Sequence, residues 1–180
     1  MSAQETLRLA GVVRESIVDG PGIRFTVFAQ GCPHHCIGCH NESTHDFEGG
    51  VVTEIGDILR EIDKNPLLSG VTFSGGEPFC QADGFCALAK EIKARGLHVV
   101  TFSGYTYEEL LALAASQDSV GEAVSELLEL TDLLIDGKFE LALRDLTLHF
   151  RGSQNQRIID MNKTRETGKI VLDDKYMNVI

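Results

Sequence analysis

The sequence predicts an α/β fold built on a mostly parallel sheet, and three observations carry that expectation. Short β-prone runs recur at 24–30, 69–76, 98–102 and 132–136, stretches with helical apolar stripes lie between them, and glycine-bearing turns stop the runs at 75–76 and 137. Strands alternating with helices make βα units, whose sheet is mostly parallel and whose sites gather at the carboxyl ends of the strands.

In chain order, "RFTVFAQ" (24–30) places Phe25, Val27 and Ala29 on one face of a strand. Thr53 is expected to cap a helix in which Ile55, Ile58, Leu59 and Ile62 form one stripe. "SGVTFSGG" (69–76) reads as a strand stopped by paired glycines, and the next helix carries Phe85, Leu88, Ala89 and Ile92 and ends at Gly96. "HVVTF" (98–102) is a strand. A helix follows from about Tyr107, capped by Thr106, then another over Glu122 to Leu130, then the strand "DLLID". The more polar stretch 153–180 is expected to wrap the domain or fray.

A chain of 180 residues is expected to make a single domain over 1–180, with a core of about 10–161 and a C-terminal extension of about 162–180. Sixteen Lys and Arg against 27 Asp and Glu give a formal charge of -11, which argues against nucleic acid, because such binding rests on clustered basic residues. The start lacks the basic and apolar segments of a secretion signal, and the longest wholly apolar run is Leu110 to Ala115. No membrane partner and a soluble, cytoplasmic location are therefore expected. Five cysteines, three of them bunched, favour metal or redox chemistry over a disulfide framework.

That bunch is "QGCPHHCIGCHN" (30–41), a CxxxCxxC pattern of Cys32, Cys36 and Cys39 where the first strand ends. Three thiolates on a short loop suit a soft metal centre. If they alone hold a 4Fe-4S cubane, one iron keeps open coordination for a small molecule. Two other arrangements stand beside this one. A structural zinc would use the three cysteines plus His40, although adjacent Cys39 and His40 are poorly placed to ligate together. An electron carrier would take Cys80 or Cys86 as a fourth ligand; otherwise these two are expected to be partly buried small side chains. His34 and His35 read as polar groups of the loop.

CxxxCxxC resembles the signature of radical S-adenosylmethionine (SAM) enzymes, and "GGEP" (75–78) at the next strand end strengthens the likeness. The stretches 19–47, 73–78, 103–110, 134–139 and 151–160 together resemble the glycyl-radical enzyme activases, specifically those that act on anaerobic ribonucleoside-triphosphate reductase. The likeness covers roughly residues 10 to 161, and the pattern Arg-Gly-Ser-x-Asn-Gln-Arg, Arg151 to Arg157, discriminates best within that family.

The resemblance implies a 4Fe-4S cluster on Cys32, Cys36 and Cys39, with the amino and carboxylate groups of SAM on the fourth iron. It also implies SAM contacts from Gly38, Cys39, His40, Gly75, Gly76, Glu77, Ser103, Asp136 and Lys138. Among these, "GGEP" would meet the SAM ammonium, Lys138 the carboxylate, Ser103 the ribose or methionine, and His40 would lie near the adenine. No side chain is assigned as a general acid or base, because cluster and SAM carry the hard chemistry. The resemblance further implies that a low-potential donor such as flavodoxin would supply one electron, that SAM would be cleaved to methionine and a 5'-deoxyadenosyl radical, and that a glycine Cα of the reductase large subunit would lose hydrogen.

A closed eight-unit barrel needs about 250 residues, so the expected architecture is an incomplete, open (β/α) barrel of the radical SAM type. About five or six βα units would leave a side open for a glycine-bearing loop. Two departures stand out. Gly38 occupies a position where the general pattern often has an aromatic residue, although the reductase activases accept glycine. The strand ending at Ser103 lacks the acidic residue that formate-lyase activases use near SAM. The other functions in view are activation of a different glycyl-radical enzyme, such as pyruvate formate-lyase, and a non-catalytic iron-sulfur electron-transfer or zinc-binding module.

Overall fold

A computed structural model describes residues 5–177. The first four residues of the stretch read for a secretion signal, and the last three of the polar tail, lie outside the described residues. Seven strands form one sheet: β1 (Thr6–Ser16), β2 (Arg24–Ala29), β3 (Val51–Glu54), β4 (Gly70–Gly75), β5 (His98–Phe102), β6 (Leu133–Asp136) and β7 (Arg157–Asp160). Their order is β3-β1-β2-β4-β5-β6-β7, an open sheet with β3 and β7 at its edges. At its centre β2, β4, β5 and β6 run parallel. The additions at both ends, β1 with β3 and β7 on β6, are antiparallel.

The parallel strands are joined through α1 (Ile55–Asp63), α2 (Ala82–Ala94), and the pair α3 (Tyr107–Ala114) and α4 (Ser119–Leu130); α5 (Met161–Thr167) and α6 (Asp174–Met177) follow β7. Phe25, Val27, Val71, Phe73, Val99 and Leu134 pack with the helix residues Ile58, Phe85, Leu88, Leu110 and Leu127 in the main core. A second, smaller cluster joins Val100, Leu133, Ile135 and Ile158 to Phe102, Phe150, Tyr176 and Met177. Burial on both sides is what parallel strands require. The tail thus wraps the sheet: Asp160 N–H bonds Val171 O at 2.9 Å and Asp173 N–H bonds Ile158 O at 2.9 Å.

Several sequence expectations are corrected. Thr53 lies in β3 and does not cap α1; its hydroxyl donates to Val51 O, and Glu54 takes the cap position without a side-chain cap bond. Helix α4 begins at Ser119, because Asp118 caps it by accepting from Gly121 N at 2.9 Å. The parallel strands number four, not five or six, since β1, β3 and β7 pair antiparallel. Thr106 does cap α3: its Oγ1 accepts from Glu109 N at 3.2 Å while Glu109 accepts from Thr106 N at 2.8 Å.

The amino ends of the parallel strands are fastened by Arg24, which is fully buried. Its Nε donates to Thr72 Oγ1 at 2.7 Å, Nη1 to Pro21 O at 3.0 Å, and Nη2 to Val71 O at 2.8 Å and His98 O at 2.9 Å. Burial lowers its pKa to about 10, so it stays charged at neutral pH. One guanidinium therefore ties β2 to β4, β5 and the loop before β2. Arg24→Ala leaves those carbonyls without a donor and is expected to cost about 3 kcal/mol. Arg24→Lys, which lacks the planar fork, recovers only part of this. Urea unfolding of the two variants measures both effects.

Candidate active site

The cysteine loop leaves the carboxyl end of β2 and is anchored by main-chain bonds. Gly31 N–H bonds Thr44 O at 2.7 Å, Cys32 N–H bonds His45 O at 3.2 Å, and Cys39 N–H closes a turn on Cys36 O at 3.2 Å. The buried Gln30 side chain supports it from below, donating to Ser43 O and, at 2.6 Å, to Asp46 O. Gly38 adopts φ +76, where a side chain is strained, and a Cβ there would lie 3.1 Å from Leu141. That close approach and the left-handed backbone account for glycine before Cys39.

All three thiols of the loop are unpaired: Cys32 is buried, Cys36 and Cys39 half-buried. Among the described residues, no three His, Cys, Asp or Glu side chains gather closely enough to hold a single metal ion. As a donor set the loop is chemically suited to an iron-sulfur cluster, which takes thiolates. Burial pushes the Cys32 thiol up to about 11. Burial also raises Cys36, against the opposing pull of the Phe139 amide and the Lys138 charge. Both thiols must therefore shed a proton before binding metal.

Glu77 joins the loop to the rest of the rim. Its carboxylate is fully buried and accepts from Phe79 N at 3.1 Å, Ser103 Oγ at 3.0 Å, Gly104 N at 2.8 Å and His34 Nε2 at 2.7 Å. The His34 side chain is 5% exposed, and its ring meets Tyr105 edge-on at 4.4 Å. His34 is thus a buried tie between the cysteine loop and the "GGEP" turn, where the sequence suggested only a polar loop group. The carboxylate of Glu77 and the hydroxyl of Ser103, both expected to face SAM, are turned toward each other.

The glycine pair has a packing reason of its own. Gly75 sits at φ +92, and a Cβ there would lie 2.7 Å from Ala29 N and O. The neighbouring amides are used within the chain, Gly76 N–H on Ala29 O and Glu77 N–H on Gly31 O, both at 2.8 Å. The turn is therefore pressed against the start of the cysteine loop.

At the end of β6, buried Asp136 accepts from Tyr107 N at 2.7 Å and from Arg157 Nε at 3.0 Å, so its carboxylate is also committed inside the chain. Exposed Lys138 follows, with its charge acting on Cys36. The His40 ring lies 5.5 Å from that of Phe139. The cysteine loop and the "DGK" turn are thereby neighbours, as their positions at strand ends predicted. Cys86 is buried in α2, donating to Ala123 O at 3.3 Å, whereas Cys80 is exposed on the turn before α2, contrary to the expectation of partial burial.

Removing the Glu77 carboxylate leaves four donors unsatisfied at one buried point. Glu77→Ala is expected to lower stability by about 3 kcal/mol or more and to reduce iron and sulfide uptake on anaerobic reconstitution. Glu77→Gln is expected to fall between that variant and the parent. Denaturant unfolding and iron analysis on the same preparations check both.

A family model described as a 4Fe-4S single cluster domain matches residues 18–159. The anaerobic ribonucleoside-triphosphate reductase-activating protein of Salmonella typhimurium strain LT2 is 34% identical over 148 residues, covering 78% of this chain and 90% of that protein. The pyruvate formate-lyase 1-activating enzyme of Escherichia coli K12 is 37% identical over 123 residues, covering 66% of this chain but 46% of that enzyme. Among solved structures, QueE from Escherichia coli superposes with a TM-score of 0.42 and 14% identity, covering 71% of this chain and 68% of that one.

Proposed function

The chain belongs to the 4Fe-4S single cluster family and to the family of anaerobic ribonucleoside-triphosphate reductase-activating proteins, and from that premise we propose that it installs a glycyl radical on the large subunit of such a reductase. It is a radical SAM activating enzyme, with a 4Fe-4S cluster and SAM as cofactors. The observation that carries the substrate assignment is 34% identity extending over 90% of a reductase-activating protein. The match to the formate-lyase activating enzyme stops at 46% of that enzyme.

In this reading Cys32, Cys36 and Cys39 would hold the cluster, leaving coordination open for SAM. A reduced cluster and SAM held there would supply the hard chemistry, cleavage of SAM to methionine and a 5'-deoxyadenosyl radical able to take hydrogen from a glycine Cα. The chain's own residues bind and orient. The backbone of Gly75 and Gly76 faces the SAM ammonium, and the compact charge of Lys138 meets the carboxylate. His40, beside Phe139, and Gly38 border the adenine. Glu77, Ser103 and Asp136 serve the site from within: Glu77 joins the cysteine loop to the Ser103–Gly104 loop, and Asp136 ties the end of β6 to α3 and β7.

The chain acts as one domain in the cytoplasm and draws its electron from a low-potential donor such as flavodoxin. No helix among the described residues is long and apolar enough to cross a membrane. Ile37, inside the cysteine loop, is 80% exposed and Leu141 is 49% exposed, an apolar rim suited to a protein substrate.

The reconstituted, reduced protein is to be incubated with SAM and either the reductase large subunit or pyruvate formate-lyase, and the glycyl radical read by electron paramagnetic resonance. A radical on the reductase is expected. A radical on formate-lyase alone transfers the assignment to that enzyme, and no radical on either, with no 5'-deoxyadenosine formed, contradicts the reading. Single changes of Cys32, Cys36 or Cys39 to Ala are expected to abolish 5'-deoxyadenosine formation. Cys80→Ala is expected to retain it, and a requirement for Cys80 would point to a four-cysteine electron carrier.

A further inference from the structure

The segment Arg151 to Arg157 has no part in the chemistry described so far, yet three consecutive residues of it hold the three residues of the "DGK" turn. Asp136 and Arg157 are the final paired residues of β6 and β7. Beyond them Gly137 takes φ +97, the chain turns away, and main-chain pairing stops. Side chains then continue the contact in the same antiparallel order. Arg157 Nε donates to Asp136 Oδ1 at 3.0 Å, Gln156 Nε2 to Gly137 O at 3.0 Å, and Asn155 Nδ2 to Lys138 O at 2.7 Å.

The clamp is itself braced. Gln156 Oε1 accepts from Gly152 N at 2.9 Å and Ser153 N at 3.1 Å, and Arg151 Nη1 donates to Gln156 O at 3.0 Å. Ser153, fully buried, accepts from Glu140 N at 3.1 Å just past the turn. Arg157 also reaches Glu108 on α3 at 2.7 Å. From the other side, Gly137 N–H bonds Tyr105 O at 3.1 Å, and the Tyr105 ring touches His34. The Asp136 carboxylate, the Gly137 N–H and the Gly137 and Lys138 carbonyls are thus all used, while the Lys138 side chain stays exposed.

We propose that Asn155, Gln156 and Arg157 are positioning residues that fix the backbone of the 136–138 turn so that the Lys138 ammonium stands beside the cysteine loop, ready for the SAM carboxylate. This rests on the SAM-binding role proposed for Lys138. The competing account is that the segment merely closes the sheet edge.

Gln156→Glu separates the two. It keeps an oxygen for the Gly152 and Ser153 amides but removes the donor to Gly137 O. Asn155→Ala removes only the grip on Lys138 O and serves if the first variant does not fold. Both reconstituted variants are expected to carry the parent's iron content and to weaken SAM binding by about tenfold, read as KM for SAM and as the SAM-induced change in the reduced cluster's resonance spectrum. The rate of 5'-deoxyadenosine formation at saturating SAM should change less than KM. Hydrogen exchange at the 137–139 amides should rise. Parent-like exchange there, or parent-like KM beside a normal parent response to SAM, overturns the clamp. Absence of any SAM response in the parent protein contradicts the functional reading instead, and the exchange measurement still decides the clamp.

Discussion

A carboxylate sealed from water without donors would be prohibitively costly, and the rim of this protein is arranged around meeting that demand at Glu77. The donors come from three separate strand ends: His34 from the loop after β2, Phe79 from the turn after β4, and Ser103 and Gly104 from the loop after β5. Satisfying one buried charge therefore sets the mutual placement of three loops. Tyr105, next in the chain, packs against His34 and accepts from Gly137, which brings the end of β6 into the same frame. Four parallel strands thus present one continuous rim.

The two ends of the parallel strands use opposite devices. At the amino ends a buried cation, Arg24, is satisfied almost wholly by neutral oxygens of the chain. At the carboxyl ends a buried anion is satisfied by hydroxyl, imidazole and amide donors. Neither pairs with the other, so the sheet carries a buried guanidinium below and a buried carboxyl hub at the rim. Lys138 is the exposed counterpart at the surface, and its charge already opposes the effect of burial on the Cys36 thiol. A cation so placed suits the proposed site for cluster thiolates and the SAM carboxylate.

The parts of the fold that were legible in the sequence are those with local causes. The four parallel strands follow from short apolar runs, α2 from its stripe, and α3 from a capping box within four residues. Strands β1, β3 and β7 escaped because they are antiparallel additions at the two ends of the sheet, whose pairing is settled by partners far along the chain. Asp118 preceding Ser119, Val120 and Gly121 hid the true start of α4, since those residues are weak helix formers. In the site, cysteine spacing and strand-end turns were readable, whereas the side chains of Glu77, Ser103 and Asp136 point inward for reasons of tertiary contact. His34 meets Glu77 across 43 positions, a separation at which no local pattern speaks. The clamp from 155–157 was visible as a motif, but its purpose needed the register of β6 on β7.

The central claim is that SAM completes the coordination at a cluster held by the cysteine loop. Electron–nuclear double resonance on the reduced protein, with SAM labelled by nitrogen-15 at the amino group and oxygen-17 at the carboxylate, tests it most directly. Hyperfine coupling from both labels to the cluster is the predicted result. Bound SAM showing coupling from neither label would contradict the claim.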